Sequence, residues 1–218
     1  MFIFSNLASS VDGKIATNNR SHLYLGTPHD RRQMMVLRAK AQAVLVGAST
    51  LRAFQRAITT SLTPLQKQPL NVVVSSRLDD FDAGWSFFKN KRTRRLLFVG
   101  ARAPLKRVKL FEGSCEIVRL KTNKPIAQQI VKELERRGIK RLLLEGGGEL
   151  MWNFASHNMI DEYNVTLTPW IVGGGGAPTM VEGAGFMPHR ILGLKLKSCK
   201  VVGDELYLVY RKKAGRAK

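Results

Sequence analysis

The chain is poor in cysteine, in long apolar runs and in acidic residues. Each shortage argues against certain classes of protein. Its two cysteines, Cys115 and Cys199, are isolated, with no Cys-x-x-Cys spacing and no histidine cluster nearby. That pattern fits a reducing compartment and argues against a structural zinc. No apolar run approaches the roughly 20 residues of a membrane-spanning helix. Residues 1–8 lack a basic segment and are typical of a strand, not a signal peptide. We therefore expect a cytoplasmic globular protein with no membrane partner.

Acidic residues are so scarce that 36 Lys and Arg face 16 Asp and Glu, a formal net charge of +20. An excess of this size attracts polyanions, so nucleic-acid binding has to be considered. Nine basic residues lie between Lys89 and Lys109, but they surround a strand-like run at 96–99, as on solvated strand ends. No helix-turn-helix, zinc-finger or RNA-binding strand pattern is present. The charge favours weak steering of phosphorylated small molecules over a nucleic-acid partner.

Apolar strand-like runs alternate with helical segments along the 218 residues. This pattern predicts one α/β domain over 1–218, a mixed sheet with helices on both faces, and a basic disordered tail at 210–218. The clearest helix is predicted for 125–137, where Ile126, Ile130 and Leu134 share a face. Two alternating segments, 194–202 and 205–210, flank a Gly-Asp turn and predict an antiparallel hairpin at the C-terminal edge.

The most informative stretch is 142–150, where an apolar strand runs into Glu145 and three glycines, and a helical pattern begins at Glu149. Glycines let the backbone approach a ligand closely and turn its N–H groups toward an anion at the helix N-terminus. The stretch therefore predicts a phosphate cradle with Glu145 beside the bound molecule. A tight turn with a packing glycine explains the same residues equally well.

Three further turns follow apolar strands, at 47–50, 75–77 and 100–102. In an open α/β sheet the ligand crevice lies at the carboxyl ends of the strands, so these turns are expected to converge there. None is a G-x-G-x-x-G fingerprint. Arg77 or Arg102 suits a cofactor 2′-phosphate, although each arginine taken alone is better explained as plain surface.

Five short motifs occur in the order and spacing of the riboflavin-biosynthesis reductase family, and the chain resembles that family from residue 2 to about 210. The motifs are Ser10-Val11-Asp12-Gly13-Lys14-Ile15-Ala16, Leu37-Arg38-Ala39, Val46-Gly47-Ala48-Ser49-Thr50, Val73-Val74-Ser75-Ser76 and Leu144-Glu145-Gly146-Gly147-Gly148. The resemblance implies a dihydrofolate-reductase-like, three-layer α/β/α fold with a mixed, mostly parallel central sheet and an antiparallel C-terminal edge. It also implies an NADPH-dependent oxidoreductase, commonly a homodimer, that converts the ribosyl side chain of a phosphorylated aminopyrimidine to ribityl.

The resemblance also assigns site residues by position, none of them to a metal. Lys14 and Glu145 are the candidates for managing a proton, and His22, Arg38 and Glu145 are expected to meet the substrate. The cofactor-binding residues implied are Ala8, Tyr24, Gly47, Thr50, Ser76, Gly146, Gly147, Gly148, Glu149 and Leu150, with the helix start continuing to Asn153. Taken without the family, Lys14 is an ordinary loop lysine and Arg38 is helix surface.

Two positions depart from the family pattern, which has an Asp-Pro pair after the Gly-x-x-Thr turn and then an arginine. Here Phe54 replaces the aspartate and Ser61 the arginine, with Arg52 or Arg56 available to compensate. The deaminase domain often fused upstream is also missing, so a stand-alone reductase is expected. Three functions stay open: the riboflavin-pathway reductase, a reductase of another pterin or pyrimidine, and a basic nucleic-acid-associated protein whose glycine turns are only structural.

Overall fold

The computed structural model describes residues 1–20 and 23–213. It divides into two compact units, one formed by Met1 and Met35–Leu143 and the other by Phe2–Met34 and Leu144–Lys218. Across the described ranges no helix is both long and apolar enough to cross a membrane. The single domain over 1–218 stays a prediction.

The described residues form nine strands, six α-helices and two short 3-10 helices. The strands are β1 (Phe2–Ser10), β2 (Ala43–Gly47), β3 (Leu70–Ser75), β4 (Arg95–Val99), β5 (Glu116–Arg119), β6 (Arg141–Leu144), β7 (Glu162–Thr168), β8 (Leu194–Val202) and β9 (Glu205–Lys212). The α-helices are α1 (Pro28–Ala39), α2 (Ala48–Phe54), α3 (Ser86–Lys89), α4 (Leu105–Lys109), α5 (Ile126–Arg136) and α6 (Gly148–Ala155), and the 3-10 helices are Leu65–Lys67 and Pro188–Arg190.

The strands of the first unit lie in the order β5-β4-β3-β2-β6. β2 pairs with β3, β3 with β4 and β4 with β5, all in parallel. The central strands are continuous apolar runs, and Val44, Leu45, Val72 and Val73 have no exposed surface. Burial on both faces is what a parallel sheet requires of its strands. The prediction of buried strands here is confirmed.

Helix α5 covers its unit through a face slightly different from the predicted one. Ala127, Ile130 and Leu134 are completely buried, whereas Ile126 is about one third exposed. No Thr or Asn side chain caps its start. Instead the Gln129 amide accepts from the N–H of Lys121 and donates to the carbonyls of Lys121 and Lys124, which fixes the chain before the helix.

The second unit combines a parallel strand pair with an antiparallel hairpin. β1 and β7 are parallel, β7 and β9 antiparallel, and β8 and β9 antiparallel around Gly203-Asp204. The mixed α/β class, mostly parallel with an antiparallel C-terminal edge, is therefore confirmed. A tail beginning at 210 is wrong, because ladder hydrogen bonds continue the strand to Lys212. Residues 214–218 of that predicted tail lie outside the described residues.

Part of the basic segment at 89–109 serves the fold. The Arg107 guanidinium donates to the carbonyls of Leu78 and Phe81 at 2.8 and 2.5 Å. Arg95 donates to the carbonyl of Ser114 at 2.8 Å. These two arginines bind loop carbonyls that otherwise need water or another donor. The interpretation of this segment as solvated surface is therefore wrong for Arg95 and Arg107.

Candidate functional site

A glycine loop joins β6 to α6. Gly146 has a φ of +81°, the Gly146–Gly147 peptide bond is cis, and Gly147 is the N-cap residue of α6, with no side chain to cap the helix. The helix begins at Gly148, one residue before the predicted start. Glu145 is half-buried at the beginning of the loop. The predicted order of strand, carboxylate, glycines and helix is confirmed as local structure.

The chain itself approaches Gly148 closely. A Cβ on Gly148 would lie 2.5 Å from the carbonyl oxygen of Thr179 and 2.5 Å from Cγ of Glu182. The N–H of Glu182 also donates to the Gly148 carbonyl at 3.2 Å. Internal packing therefore requires glycine at this position, as the structural alternative for the loop proposes. Any ligand role of Gly148 is left to its main-chain N–H.

Lys14 lies in the turn after β1, in the same unit as the glycine loop. Its Nζ donates to the carbonyl of Ala177 at 3.2 Å, and its backbone forms an isolated antiparallel bridge with Thr179. The predicted proton-handling lysine is thus held against the segment that covers the first turn of α6.

Asp12, two residues before Lys14, anchors the second glycine run of the sequence. Its carboxylate accepts from the Ser10 hydroxyl at 2.5 Å and from the N–H groups of Val172 and Gly173 at 3.1 and 2.7 Å. The Ser10 hydroxyl, followed by the two N–H groups, lowers the pKa of Asp12 to about 2. The sequence explained Asp12-Gly13 as a turn and missed this anchoring role.

Two predicted cofactor contacts of the second unit, Ala8 and Tyr24, differ in how exposed their side chains are. Ala8 is a partly exposed β1 residue paired with Thr166 of β7. Tyr24 is 56% exposed, and the Arg31 guanidinium lies 5.5 Å from its ring centroid. His22, the predicted substrate residue, lies outside the described residues.

A pair of carboxyl groups that sequence reasoning missed lies near α1. Asp30, in the first turn of α1, receives a hydrogen bond from Thr166 and is close enough to Glu205 for their charges to interact. Burial, reinforced by Glu205, raises the pKa of Asp30 against the effect of Thr166. Asp30 therefore keeps its proton to higher pH than an exposed aspartate does.

Glu205 is only 1% exposed and is held by three donors. It accepts from the N–H and hydroxyl of Thr27 at 2.8 and 2.7 Å and from the Tyr207 hydroxyl. Burial and this bond raise the pKa of Tyr207. The carboxylate thereby fixes the segment before α1, which carries Tyr24.

In the first unit, predicted cofactor residues share one edge of the parallel strands. Gly47 ends β2 and is the N-cap residue of α2, whose first turn contains Thr50. Ser76 follows β3, and the β2–β3 register places Gly47 beside Val74. A Cβ on Gly100 would lie 2.4 Å from the Ser76 carbonyl oxygen. The turns after β2, β3 and β4 therefore converge within this unit, as predicted.

Arg38, in the last turn of α1, is half-buried and not plain helix surface. Its Nη1 donates to the carbonyl of Thr59 at 3.1 Å. The contact ties α1 to the segment in which the sequence departs from the family pattern.

The predicted residues thus form two sets, each within one unit. Ala8, Lys14, Tyr24, Glu145, Gly146, Gly147, Gly148, Glu149 and Leu150 belong to the second unit, and Arg38, Gly47, Thr50 and Ser76 to the first.

Comparison with known proteins is decisive for the family. The sequence model described as the RibD C-terminal domain matches residues 1–208. The chain belongs to the RibD C-terminal domain family. The resemblance inferred from the five motifs is therefore confirmed.

One sequence relative supports the family, and two solved structures support the fold. A protein of Methanothermobacter thermautotrophicus named 2,5-diamino-6-ribosylamino-4(3H)-pyrimidinone 5′-phosphate reductase is 31% identical over 96% of this chain and 97% of its own length. A pyrimidine reductase-like protein from Corynebacterium diphtheriae superposes with a TM-score of 0.86 at 17% identity, covering 98% of this chain and 92% of that one. Dihydrofolate reductase from Enterococcus faecalis superposes with a TM-score of 0.54 at 12% identity, covering 98% and 97%. The dihydrofolate-reductase-like fold is confirmed.

The lowered pKa of Asp12 leads to a prediction about the thermal stability of the protein. Replacing Asp12 by Asn should lower the melting temperature at neutral pH, because the charged acceptor for Val172 and Gly173 is lost. A folded pKa of about 2, below the usual 3.8, means that Asp12 contributes stability above pH 3.8. This contribution disappears as the pH falls through 2.

Thermal unfolding followed by circular dichroism across this range measures the effect. The difference between D12N and the parent should shrink on acidification. Asp204→Asn, in the exposed hairpin turn, is the matched control and should show no such difference. If the melting temperature of D12N lay below that of the parent by the same amount at every pH, the carboxylate charge would not anchor the glycine run.

Proposed function

We propose that this chain is an NADPH-dependent reductase of riboflavin biosynthesis that acts on 2,5-diamino-6-ribosylamino-4(3H)-pyrimidinone 5′-phosphate or a close phosphorylated aminopyrimidine. Family membership over residues 1–208 and the name of the 31% identical relative support this substrate class. The observation that carries the proposal is the loop from Glu145 to Gly147. It presents a half-buried carboxylate together with a helix start whose N-cap residue, Gly147, has no side chain. We place the enzyme in the cytoplasm, as its cysteine usage indicates.

The residues present fit a dinucleotide cofactor. α2 follows β2 directly and α6 follows β6 through the loop at 145–147, and each helix has glycine as its N-cap residue, so neither N-cap places a side chain over its helix start. N–H groups at such helix starts bind phosphate oxygens. Gly147, Glu149 and Leu150 would hold the cofactor in the second unit, and Gly47, Thr50 and Ser76 in the first. Arg77 after β3 supplies a guanidinium for a 2′-phosphate, although it now pairs with Asp79 at 2.8 Å.

Bound NADPH supplies the hydride, and the protein's task is to orient the sugar carbon and manage a proton. Glu145 and Arg38 are proposed to bind the substrate, as an acceptor for its amino groups and a donor to its oxygens. Lys14 is also proposed to manage a proton. In the structure its Nζ donates a hydrogen bond to the Ala177 carbonyl. Asp30 is a further candidate for holding a proton, because it bonds Thr166, the strand partner of the predicted cofactor contact Ala8, and because burial raises its pKa.

A reductase of another pterin or pyrimidine is the second candidate. The observation that favours it is Phe54, which stands where the family has an aspartate and is 39% exposed. A phenyl ring accepts no conventional hydrogen bonds, so a substrate group recognised by the aspartate is not recognised in the same way here.

We also propose that the enzyme is a homodimer. β8 is the edge strand of its unit, and almost all of its residues are exposed, among them Leu196 at 49% and Val201 at 65%. An exposed edge strand with apolar side chains is an association surface unless it is covered. A second copy of this chain would cover it.

The proposed reductase activity predicts that turnover depends on Glu145. Purified protein should oxidise NADPH in the presence of the ribosylaminopyrimidine phosphate. Glu145→Gln should lower kcat/KM by about 10- to 100-fold, since it removes a charged hydrogen-bond acceptor. Glu112→Gln, on an exposed turn of the first unit, should leave it unchanged.

The outcomes of this assay separate the candidates. Failure to bind NADPH in a fluorescence titration would contradict any reductase function. Intact NADPH binding with no turnover of this substrate would favour the other pterin or pyrimidine substrate.

The raised pKa of Asp30 predicts the pH profile. If the protonated carboxyl supplies the proton, kcat should fall as pH rises through that pKa, because the acid form is lost. Asp30→Asn should lower kcat by about 100-fold and remove this limb of the profile. Since Asp30 and Glu205 interact, the observed value belongs to the pair. A D30N profile parallel to the parent's would exclude Asp30 as the proton source.

The dimer proposal predicts the effect of a charge on β8. Val201→Asp should reduce the mass measured by light scattering from that of two chains to that of one, because like carboxylates would face each other across the covered edge. Leu110→Asp introduces the same charge at a 54% exposed position of the first unit and should leave the dimer intact. A parent protein with the mass of one chain would contradict the proposal.

A further inference from the structure

A row of basic side chains lies where the strands of the first unit begin, and no proposed cofactor or substrate residue belongs to it. The neighbouring strands β6, β2, β3 and β4 are each preceded, within three residues, by an exposed Lys or Arg. Two more basic residues extend the row ahead of β4. We call these six residues the cationic row: Lys140, Lys40, Lys67, Arg94, Lys91 and Arg92.

Main-chain hydrogen bonds hold the strand starts in alignment. The N–H of Gln42 donates to the Arg141 carbonyl at 3.0 Å, and the N–H of Leu70 donates to the Gln42 carbonyl at 2.9 Å. On the next strand, the Arg94 carbonyl accepts from the N–H of Asn71 at 2.9 Å. Since adjacent strands lie about 4.8 Å apart, the four strand starts span about 15 Å. The cationic row is therefore a line with one exposed cation per strand, extended at one end.

Contacts within the protein do not account for the cationic row. Arg95 and Arg107 donate to loop carbonyls, and Arg137 pairs with Glu116 at 2.6 Å where β5 begins. Across the residues that the structure describes, the side chains of the cationic row make no such hydrogen bond or ion pair. The dipole of α1 does favour Lys40, which follows its C-terminus. Like charges on neighbouring strands repel, however, so the row as a whole does not stabilise the fold.

The position of the cationic row separates it from the proposed cofactor residues of this unit. Gly47, Thr50 and Ser76 lie at or after the carboxyl ends of β2 and β3, whereas the row precedes the amino ends of the strands. Steering of a phosphorylated substrate would require cations around the carboxyl ends. The row therefore points to an anionic partner other than the substrate or the cofactor.

A nucleic-acid strand fits this line of cations better than a membrane does. A strand carries one phosphate per about 3.4 Å of its axis, so a row of about 15 Å faces about four phosphates. A peripheral membrane site needs an apolar face beside its cations. Leu62 and Leu65, each about half exposed, lie near Lys67, but the segments 40–42, 89–94 and 140–141 contain no exposed large apolar residue. Most of the row therefore lacks the apolar side chains that would enter a bilayer.

We propose that the cationic row binds the phosphate backbone of single-stranded RNA, independently of its sequence. Lys140, Lys40, Lys67 and Arg94 bind neighbouring phosphates, and the other two residues of the row extend the contact. RNA is the single-stranded polyanion of the cytoplasm, where we place this enzyme. The inference goes beyond the proposed function and does not rest on it.

Fluorescence anisotropy of a labelled oligouridine of about 20 nucleotides, titrated with the full chain, tests the proposal. The logarithm of the association constant should fall with the logarithm of the salt concentration with a slope of about −3, as about four phosphate contacts predict. The double variant Arg94→Gln and Lys140→Gln should weaken binding about tenfold or more at about 50 mM salt, and should reduce that slope by about 1.4.

The matched control removes the same charge elsewhere in the first unit. Lys121 and Lys124 are exposed and follow the carboxyl end of β5. The double variant Lys121→Gln and Lys124→Gln should bind the oligouridine within about twofold of the parent, because these residues make none of the proposed phosphate contacts. Both double variants should keep the melting temperature of the parent.

Several results would overturn the proposal: no binding of the oligouridine at about 50 mM salt, an equal loss of affinity in the two double variants, or tighter binding of a duplex of the same length. Displacement of the oligouridine by saturating NADPH would place the strand at the carboxyl ends. Binding to phosphatidylserine vesicles that Leu65→Ser abolishes, without binding of oligouridine, would assign the row to a membrane. Failure of the reductase assay alone leaves the RNA result standing.

Discussion

Parallel pairing of buried strands is the constraint on which both units depend. In the first unit the pairing of β2, β3 and β4 is possible because these strands are apolar on both faces, and it brings the turns after them to one edge. In the second unit the β1–β7 pair places Ala8 beside Thr166, which also bonds Asp30. The candidate site residues are therefore positioned by strand register, and loops only complete the arrangement.

Polar contacts over long sequence separations hold those loops. Asp12 binds the N–H groups of the glycine run after β7, and Glu205 binds Thr27 ahead of α1. The segment that carries Glu182 packs on Gly148 at the start of α6. Each contact fixes a flexible segment through a buried or well-bonded main-chain group, which is how a site made of glycine-rich turns stays ordered. The same logic explains Arg95 and Arg107, whose guanidinium groups bind loop carbonyls.

The local sequence pattern was sufficient to predict most of the strands and helices. β6 and β8 have the predicted bounds, because an apolar run and a clear alternation leave little ambiguity. Helices α3 and α4 span only four and five residues, too few for a periodicity to show, and were missed. The glycine loop was found from sequence alone, whereas the roles of Asp12 and Glu205 were not. Their partners lie 161 and 178 residues away, and nothing local marks such a pairing.

The central claim is that this member of the RibD C-terminal domain family reduces the ribosyl side chain of a phosphorylated aminopyrimidine with a hydride from NADPH. The most direct measurement uses NADPH deuterated at the hydride-donating carbon, with mass spectrometry of the product. The account predicts that the product carries one deuterium atom at the reduced sugar carbon, transferred from NADPH as deuteride. A product that contains no deuterium from the cofactor, or an unchanged substrate beside bound NADPH, would contradict it.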